Sequence, residues 1–170
     1  MQLGVVSDTH DNYSAAEEVA QVFADRDVET VLHCGDFISP PLLGAFDGHG
    51  FSFHGVLGNN DGELDGLEST IDGMGNGSEL HGRQATFEFD DTRVHMLHGD
   101  QGLDEVNALA ESGEYDYVLY GHFHVAEHRE EGDTTVLNPG AHFPTVPEDN
   151  RSVAVIDTET DEVEFVSITS

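Results

Sequence analysis

Five short apolar runs in this chain each lead into carboxylate, amide or imidazole side chains. The runs and the residues that follow them are 3–6 with Asp8 and His10, 31–34 with Asp36, 51–57 with Asn59 and Asp61, 94–97 with His98, and 117–120 with His122 and His124. Short apolar runs that stop at Gly, Asp or Asn are typical of buried strands. In an open α/β sheet, ligands bind in the crevice beyond the carboxyl ends of the strands. The pattern therefore predicts one edge where these polar side chains meet.

The order of the segments predicts an α/β fold. In the first half strands alternate with helices; residues 14–17 have the sequence Ser-Ala-Ala-Glu, which fits a capping box before an apolar helical stripe. The second half has more strands, with a hairpin over 84–97 and an antiparallel pair over 152–168. This order predicts two packed mixed sheets with helices outside, in a single domain over residues 1–170. The Gly-rich, acidic stretch 62–82 is expected to be a plain connection or, as the alternative, a flexible flap.

The charge of the chain is extreme. Thirty-five acidic residues face five basic ones, all Arg, and the formal net charge is −30. The acids are spread over the whole chain between regular strand patterns, so we expect a folded protein with an acidic surface. Self-repulsion destabilises such a fold in dilute buffer, whereas ~1 M salt shortens the screening length to ~3 Å. The composition therefore favours a halophilic archaeon with a salt-filled cytoplasm as the host.

Several sequence features limit where the protein can work and what it can bind. No stretch approaches the ~20 apolar residues of a membrane span, and no basic leader precedes the first strand pattern. The single cysteine, Cys34, excludes an internal disulfide, and its apolar run predicts a buried, inert thiol. We therefore expect a cytoplasmic protein without a membrane partner. Five Arg and no Lys give no basic groove, which argues mildly against nucleic acid. A homodimer is one option for its assembly.

Each polar motif alone has an ordinary structural explanation, such as a surface turn or a hydrogen-bonded strand-end histidine. All five together at strand ends favour a metal site. Side chains two apart on extended backbone point the same way, so Asp8 and His10 are expected to grip one ion together. His122 and His124 should do the same, unless the turn splits them between two ions. Mixed carboxylate, imidazole and amide ligands suit Mn, Fe, Zn, Ni or Co better than Mg or Ca.

The motif series resembles the calcineurin-like metallophosphoesterases over residues 1 to about 157. The residues that carry the likeness are Asp8-x-His10, Gly35-Asp36, Gly58-Asn59-x-Asp61, His98-Gly99 and Gly121-His122-x-His124. The short length and the later Asn138-Pro139-Gly140 are similar to the small archaeal and bacterial phosphodiesterase branch. The resemblance implies a four-layer αββα sandwich of two mixed sheets with a dinuclear metal centre. It also implies two sets of metal ligands with Asp36 as the bridge between them. The first set is Asp8, His10 and His124, and the second set is Asn59, His98 and His122.

The chain departs from the larger family members at two places. Those members have Asp-Arg a few residues after the Gly-Asp and a His directly after the Asn, whereas this chain has residues 37–40 and Asn60 there. It thus lacks a phosphate-clamping Arg and the usual proton donor to the leaving group. Asp61 is expected to orient a ligand or, as the alternative, to act as a weak catalytic acid. Asn60 and His142 are candidate substrate-binding residues.

The resulting hypothesis is a hydrolase, a metal-dependent phosphodiesterase that acts on a small phosphodiester. It would use two divalent ions, with Mn as the first choice and Ni, Co, Fe or Zn as alternatives. The family likeness implies that a metal-bridging hydroxide attacks phosphorus in line. The alternative is a non-catalytic metal-binding scaffold or protein-interaction module of the same fold, similar to the retromer subunit. The complete ligand set favours catalysis, because a scaffold need not retain all seven residues.

Overall fold

Two mixed β-sheets pack face to face in the computed structural model, which describes residues 1–170. The first sheet contains, from edge to edge, β11 (Glu162–Ser167), β10 (Ser152–Asp157), β1 (Gln2–Val6), β2 (Thr30–His33), β3 (Ser52–Gly55) and β4 (Glu79–Leu80). The second contains β5 (Gln84–Phe89), β6 (Thr92–Leu97), β7 (Tyr117–Leu119), β9 (Thr134–Asn138) and β8 (Glu127–Glu131). Strands β1 to β4 are parallel, and so are β6, β7 and β9. Each parallel set therefore ends at one edge of its sheet.

Helices cover the outer face of each sheet. Three of them pack on the first sheet and one on the second; they are α1 (Tyr13–Asp25), α2 (Pro40–Leu43), α3 (Leu64–Gly73) and α4 (Leu103–Glu111). A 3₁₀ turn, Gly44–Phe46, extends α2. The layers are therefore helix, sheet, sheet, helix, and the αββα sandwich expected from the sequence is confirmed. None of the helices combines the length and the hydrophobicity that a membrane crossing requires.

The central strands are buried on both faces. Val5 and Leu32 pack between the two sheets, whereas their neighbours Val6 and Val31 pack against the helices. Successive side chains of a strand point to opposite faces, so a strand covered on both sides needs apolar residues at every position. This explains why β1 and β2 are continuous apolar runs in the sequence. The edge strand β5 alternates between half-buried and exposed residues, as the hairpin prediction required.

Two local expectations from the sequence were wrong, and one strand was missed. The helix start was misplaced: α1 begins at Tyr13, and its cap is Asn12 rather than Ser14, because Asn12 Oδ1 accepts a hydrogen bond from Ala15 N (3.2 Å). The stretch 62–82 is neither a plain connection nor a flap, since it contains α3 and β4. Strand β8 was missed because its sequence, Glu-His-Arg-Glu-Glu, is a charged edge strand without an apolar alternation.

Candidate metal centre

The carboxyl ends of five strands meet at one edge of the sandwich. The loops after β1, β2 and β3 join those after β6 and β7 through contacts such as Asp8 N donating to Gly35 O (3.0 Å) and His122 N donating to Asp8 Oδ2 (3.0 Å). These loops bring together all seven residues that the resemblance implied as metal ligands. We call them the rim: Asp8, His10, Asp36, Asn59, His98, His122 and His124.

One set of donor atoms surrounds Asp8, whose side chain is fully buried. Asp8 Oδ1 lies 3.3 Å from His10 Nε2 and 3.3 Å from His124 Nε2. Its other oxygen, Oδ2, accepts hydrogen bonds from His122 N and from the Ser7 hydroxyl. The loops therefore fix one carboxylate oxygen, while the other faces two imidazoles.

A second set of donor atoms surrounds the side-chain oxygen of Asn59. Asn59 Oδ1 lies 3.0 Å from His98 Nε2 and 3.2 Å from His122 Nδ1. His98 Nδ1 lies 2.8 Å from Cys34 O, and a carbonyl can only accept, so Nδ1 carries a proton and Nε2 is the nitrogen that faces the rim. His122 thus faces Asn59 while His124 faces Asp8, and the turn splits the two histidines between the sets.

Asp36 lies between the two sets. Its Oδ2 is 3.3 Å from His10 Nε2 and 3.4 Å from His98 Nε2. Asn60 holds the carboxylate in place, because its backbone N donates to Oδ1 and its Nδ2 donates to Oδ2, both at 2.9 Å. One oxygen of Asp36 therefore contacts an imidazole from each set.

The donor distances fit divalent cations. Neighbouring ligand atoms that each lie ~2.1 Å from one cation are roughly 3.0–3.4 Å apart in octahedral or tetrahedral geometry. The rim distances from Asn59 to His98 (3.0 Å) and from Asp36 to His98 (3.4 Å) span the same range. Carboxylate oxygens with imidazole nitrogens are the donors that suit transition-metal dications.

The backbone of the rim is left-handed at five ligand positions. The φ angles are 54° at Asp8, 43° at His10, 61° at Asp36, 66° at His122 and 59° at His124. The expectation that Asp8 and His10 lie on extended backbone was therefore wrong, although the two side chains do meet. Such conformations cost of the order of 1 kcal/mol or more per residue and persist where surrounding contacts enforce them, commonly at functional sites. Here one enforcing contact is His10 N, which donates to Asp36 O (3.1 Å).

The two buried carboxylates dominate the electrostatics of the rim. Burial opposes the ionisation of Asp8, but hydrogen bonds from His10 and His124 outweigh it and hold the pKa of Asp8 well below its usual range. Contacts with His10 and His98 likewise lower the pKa of Asp36 against the effect of burial. Burial disfavours the charged form of His10, yet Asp36 and Asp8 raise its pKa to about 9. A cation that binds beside His10 therefore replaces a proton on that ring.

A buried histidine at the end of β2, His33, holds two loops of the rim together. Gly35 N donates to His33 Nδ1 (3.1 Å), so the ring proton is on Nε2, which donates to Thr9 Oγ1 (3.1 Å). Burial lowers the pKa of His33 to about 3, which keeps the ring neutral. His33 thereby links the loop that carries Asp8 to the loop that carries Asp36. A histidine at the end of an apolar strand was the only sequence signal for this role.

Asp61 positions backbone rather than facing the donor atoms. Its Oδ2 accepts hydrogen bonds from Asp36 N and Gly58 N, and its Oδ1 accepts one from Ile38 N, all at 2.8 Å. Burial raises the pKa of Asp61 although these three amides act in the opposite direction. This geometry supports an orienting role for Asp61 more than a role as a catalytic acid. Asn60, the candidate for substrate binding, is exposed but has its side-chain amide on Asp36.

His142 lies behind the rim with its ring 1% exposed and neither ring nitrogen hydrogen bonded. Its backbone N donates to Asp8 O (3.0 Å), so it contributes to the loop that carries Asp8. The geometry gives no support to the prediction that the His142 ring contacts substrate. The next residue, Phe143, was not predicted as a site residue and packs on two rim rings, with centroids 4.5 Å from His10 and 4.7 Å from His124.

A comparison with models of protein families identifies the family of this chain. The family model described as a calcineurin-like phosphoesterase superfamily domain matches residues 1–161. The chain belongs to this superfamily. The resemblance drawn from the five motifs is therefore confirmed, and the chain is a metal-dependent phosphoesterase.

Individual relatives agree with this membership of the calcineurin-like phosphoesterases. Phosphodiesterase MJ0936 of Methanocaldococcus jannaschii is 32% identical over 162 residues, which cover 94% of each chain. The solved structure of an archaeal phosphodiesterase matches with a TM-score of 0.89 at 30% identity, covering 99% of this chain and all of that one. Vps29 from Chaetomium thermophilum shares the fold, with a TM-score of 0.68 at 17% identity over 99% of this chain and 98% of its own.

Proposed function

We propose that this chain is a phosphodiesterase whose rim holds two divalent cations, with Asp36 shared between them. One observation carries the proposal: a single oxygen of Asp36 lies within 3.3–3.4 Å of an imidazole nitrogen from each donor set. Asp8, His10 and His124 would hold one cation, and Asn59, His98 and His122 the other. The similar archaeal proteins that are named phosphodiesterases support this substrate class.

Two dications held by these residues would supply positive charge for the phosphate oxygens and the Lewis acidity that prepares a water-derived nucleophile for in-line displacement at phosphorus. The residues of the chain prepare this chemistry. His98 keeps Nε2 free by donating Nδ1–H to Cys34 O, and Asp61 fixes the amide of Asp36. Two dications would outweigh the charges of Asp8 and Asp36, so a monoanionic diester would meet a locally positive site on an acidic protein. Molar salt screens the remaining acids.

The leaving group bears on the choice of substrate. Asn60 stands where larger family members have a histidine, and its amide is already hydrogen bonded to Asp36 (2.9 Å). An amide does not donate a proton as an acid, so Asn60 provides no general acid at that position. We therefore propose small diesters with good leaving groups as the preferred substrates.

The test compares turnover with and without metal. The protein is freed of metal by chelation in molar KCl and then assayed with bis-p-nitrophenyl phosphate in Mn²⁺, Ni²⁺, Co²⁺, Fe²⁺ or Zn²⁺. We expect metal-dependent release of nitrophenol, highest with Mn²⁺, and a fall of at least ~1000-fold in Asp36→Asn together with fewer bound cations. Asp157→Asn is the matched control. Asp157 lies at the end of β10 that is remote from the rim, where it pairs with Gln2 at the start of β1.

Two outcomes would contradict this function. Full activity in Asp36→Asn would show that Asp36 is not shared between cations. No turnover by the unmodified protein with any of the five metals would favour the non-catalytic scaffold, the alternative that the sequence left open. The metal count measured on the same samples separates a protein that binds cations without turnover from one that binds none.

We also propose that the protein works in a salt-rich cytoplasm, as its net charge of −30 and its lack of Lys suggest. The ion pairs of the Arg residues lie at the surface, for example Arg26 with Glu164 at 3.1 Å, so they offset little of the repulsion. Circular dichroism during dialysis is the measurement. We expect loss of the folded signal below a few tenths molar KCl and recovery in molar KCl; a signal that is independent of salt would contradict the proposal.

A further inference from the structure

A second histidine cluster lies away from the rim, at the side of the sandwich. It consists of His54 on β3, Glu79 on β4 and His81 just after β4, and we call it the lateral corner. His54 pairs in register with Leu32, whose side chain packs between the sheets, so His54 also faces the second sheet. Phe87 of β5 covers both rings, with centroids 5.4 Å from His54 and 5.1 Å from His81. The corner thus closes the open edge between the two sheets.

The three side chains lie next to one another, with His81 between His54 and Glu79. His54 Nδ1 and His81 Nε2 are 2.8 Å apart, and Glu79 Oε2 is 3.8 Å from His81 Nδ1. Each residue offers one ligand atom within 4.8 Å of those of the other two. Both rings are half-buried, whereas the side chain of Glu79 is 63% exposed and free to swing onto the cluster.

We propose that the lateral corner binds one further divalent transition-metal cation, for which Zn²⁺ is the best match, through His54 Nδ1, His81 Nε2 and the Glu79 carboxylate. Two imidazoles and one carboxylate with a water in the fourth position form a common tetrahedral zinc environment. Mg²⁺ and Ca²⁺ prefer oxygen ligands and would bind poorly here.

The surroundings prepare the ligand atoms. His54 Nε2 lies 2.8 Å from Ser52 Oγ; when it donates to that hydroxyl, His54 Nδ1 accepts a hydrogen bond from His81 Nε2 (2.8 Å). A cation would replace this hydrogen bond, and His81 would then carry its ring proton on Nδ1, which lies 3.8 Å from Glu79 Oε2. Burial and the neighbouring His81 lower the pKa of His54 to about 4, and burial lowers the pKa of His81. Both rings are therefore neutral near pH 7, which is the form that binds metal.

The cluster needs only a small adjustment to accept a cation. Two ligand nitrogens around a tetrahedral Zn²⁺ are roughly 3.3 Å apart, so His54 Nδ1 and His81 Nε2 must separate by about half an ångström from their 2.8 Å distance. A bound cation would tie β3 to the segment between β4 and β5, which is the connection from the first sheet to the second. The expected consequence is a zinc-dependent gain in thermal stability that does not involve the rim.

The experiment counts zinc ions per chain in the full-length protein. The chelated protein is dialysed against buffered free Zn²⁺ in molar KCl, and its zinc is measured by elemental analysis for the unmodified chain, His54→Gln, His81→Gln and the control His128→Gln. His128 lies 3.5 Å from Glu130 on an exposed strand without a second imidazole. We expect His54→Gln and His81→Gln to bind one ion fewer than the unmodified chain, and His128→Gln to bind the same number.

Two further readouts separate ligand loss from misfolding. Zinc should raise the Tm of the unmodified chain above that of His81→Gln by several degrees, while phosphodiesterase activity in Mn²⁺ stays unchanged in His81→Gln. Glu79→Gln, at an exposed position, should keep the fold and weaken zinc binding at the corner about tenfold. Equal zinc counts in the unmodified chain, His54→Gln and His81→Gln would overturn the proposal, as would unaltered zinc affinity in Glu79→Gln. Each result is a difference between a variant and the unmodified chain, so cations bound at the rim cancel. The test of the lateral corner is therefore independent of the proposed function of the rim.

Discussion

The rim and the lateral corner both combine imidazoles with carboxylates, but they do so on different backbones. At the rim, five ligand residues have left-handed φ angles on turns after parallel strands. At the corner, His54 and Glu79 lie on paired extended strands. The rim carboxylates are fully buried and held by backbone amides, whereas Glu79 is exposed. The comparison indicates that the rim is built before any ligand arrives, while the corner adjusts to one.

Building the rim in advance requires close backbone approach. Gly58 runs beside Asp36, and a Cβ at Gly58 would lie 2.6 Å from Asp36 N and closer still to its carboxylate. Gly121 is packed in the same way against Ser7 and the Asp8 carboxylate. The corner has no such requirement, so the two regions should respond differently to small changes in the backbone.

The largest effect is expected from Gly58→Ala. The added methyl must displace Asp36, the residue that contacts both donor sets, so we expect phosphodiesterase activity to fall at least ~100-fold and stability by about 3 kcal/mol. Activity in Mn²⁺ and urea unfolding in molar KCl measure the two effects. Zinc binding at the lateral corner should survive as long as the variant folds.

Gly44→Ala is the matched control for that substitution. A Cβ at Gly44 meets no atom within 4 Å, and the residue has right-handed helical backbone with φ −57°. We expect unchanged activity and stability that is equal or a few tenths of a kcal/mol higher. If Gly58→Ala matched Gly44→Ala in activity, the rim would be adaptable rather than built in advance, and the comparison with the corner would fail.

A smaller effect is expected from Asp61→Asn. The side chain accepts three backbone amides, and an Asn side chain has only one oxygen, so its NH₂ group would face an N–H donor. In either orientation of the Asn side chain at least one of the three backbone N–H groups loses its acceptor, which disturbs the loop that carries Asp36. We expect activity at limiting Mn²⁺ to fall about 10–100-fold, with part of it restored at saturating Mn²⁺, because positioning of the ligand rather than chemistry is impaired.

Asp116→Asn provides the control for Asp61→Asn. Asp116 Oδ2 also accepts a backbone amide, from Arg93 N (2.7 Å), but it lies at the start of β7, away from the rim. The activity of Asp116→Asn should depend on the Mn²⁺ concentration in the same way as the activity of the unmodified chain. A loss in Asp61→Asn that saturating Mn²⁺ leaves untouched would instead assign Asp61 to proton transfer, the alternative that its raised pKa allows.

The composition of the rim could be predicted from the sequence, but its geometry could not. Strand-end Asp and His residues identified the edge, because parallel strands bring their carboxyl ends together whatever their loops do. The left-handed angles at Asp8 and His124 arise from contacts between loops that are distant in sequence, such as His122 N with Asp8 Oδ2.

Helix α3 could not be predicted, because only two buried residues, Leu67 and Ile71, anchor it, which is too few for a visible helical period. The corner was missed because Glu79 and His81 fall in that same weakly patterned stretch.

The smallest effect concerns the imidazole behind the rim. The carboxylates raise the pKa of His10 to about 9, whereas burial lowers that of His142 to about 4. The unfolded chain takes up a proton on His142 near its ordinary pKa of 6.5, so the stability due to its neutral ring is complete above that pH and is lost as the pH falls towards 4.

His142→Leu should therefore reduce the loss of unfolding free energy with falling pH by up to about 1.4 kcal/mol per pH unit. At pH 7.5 the substitution should lower the unfolding free energy by about 1 kcal/mol. Urea unfolding at several pH values in molar KCl measures this, with the exposed His128→Gln retaining the unmodified profile. An unchanged acid slope in His142→Leu would mean that the ring is protonated in the folded state, and that the rim carboxylates govern the histidines behind them as well as those beside them.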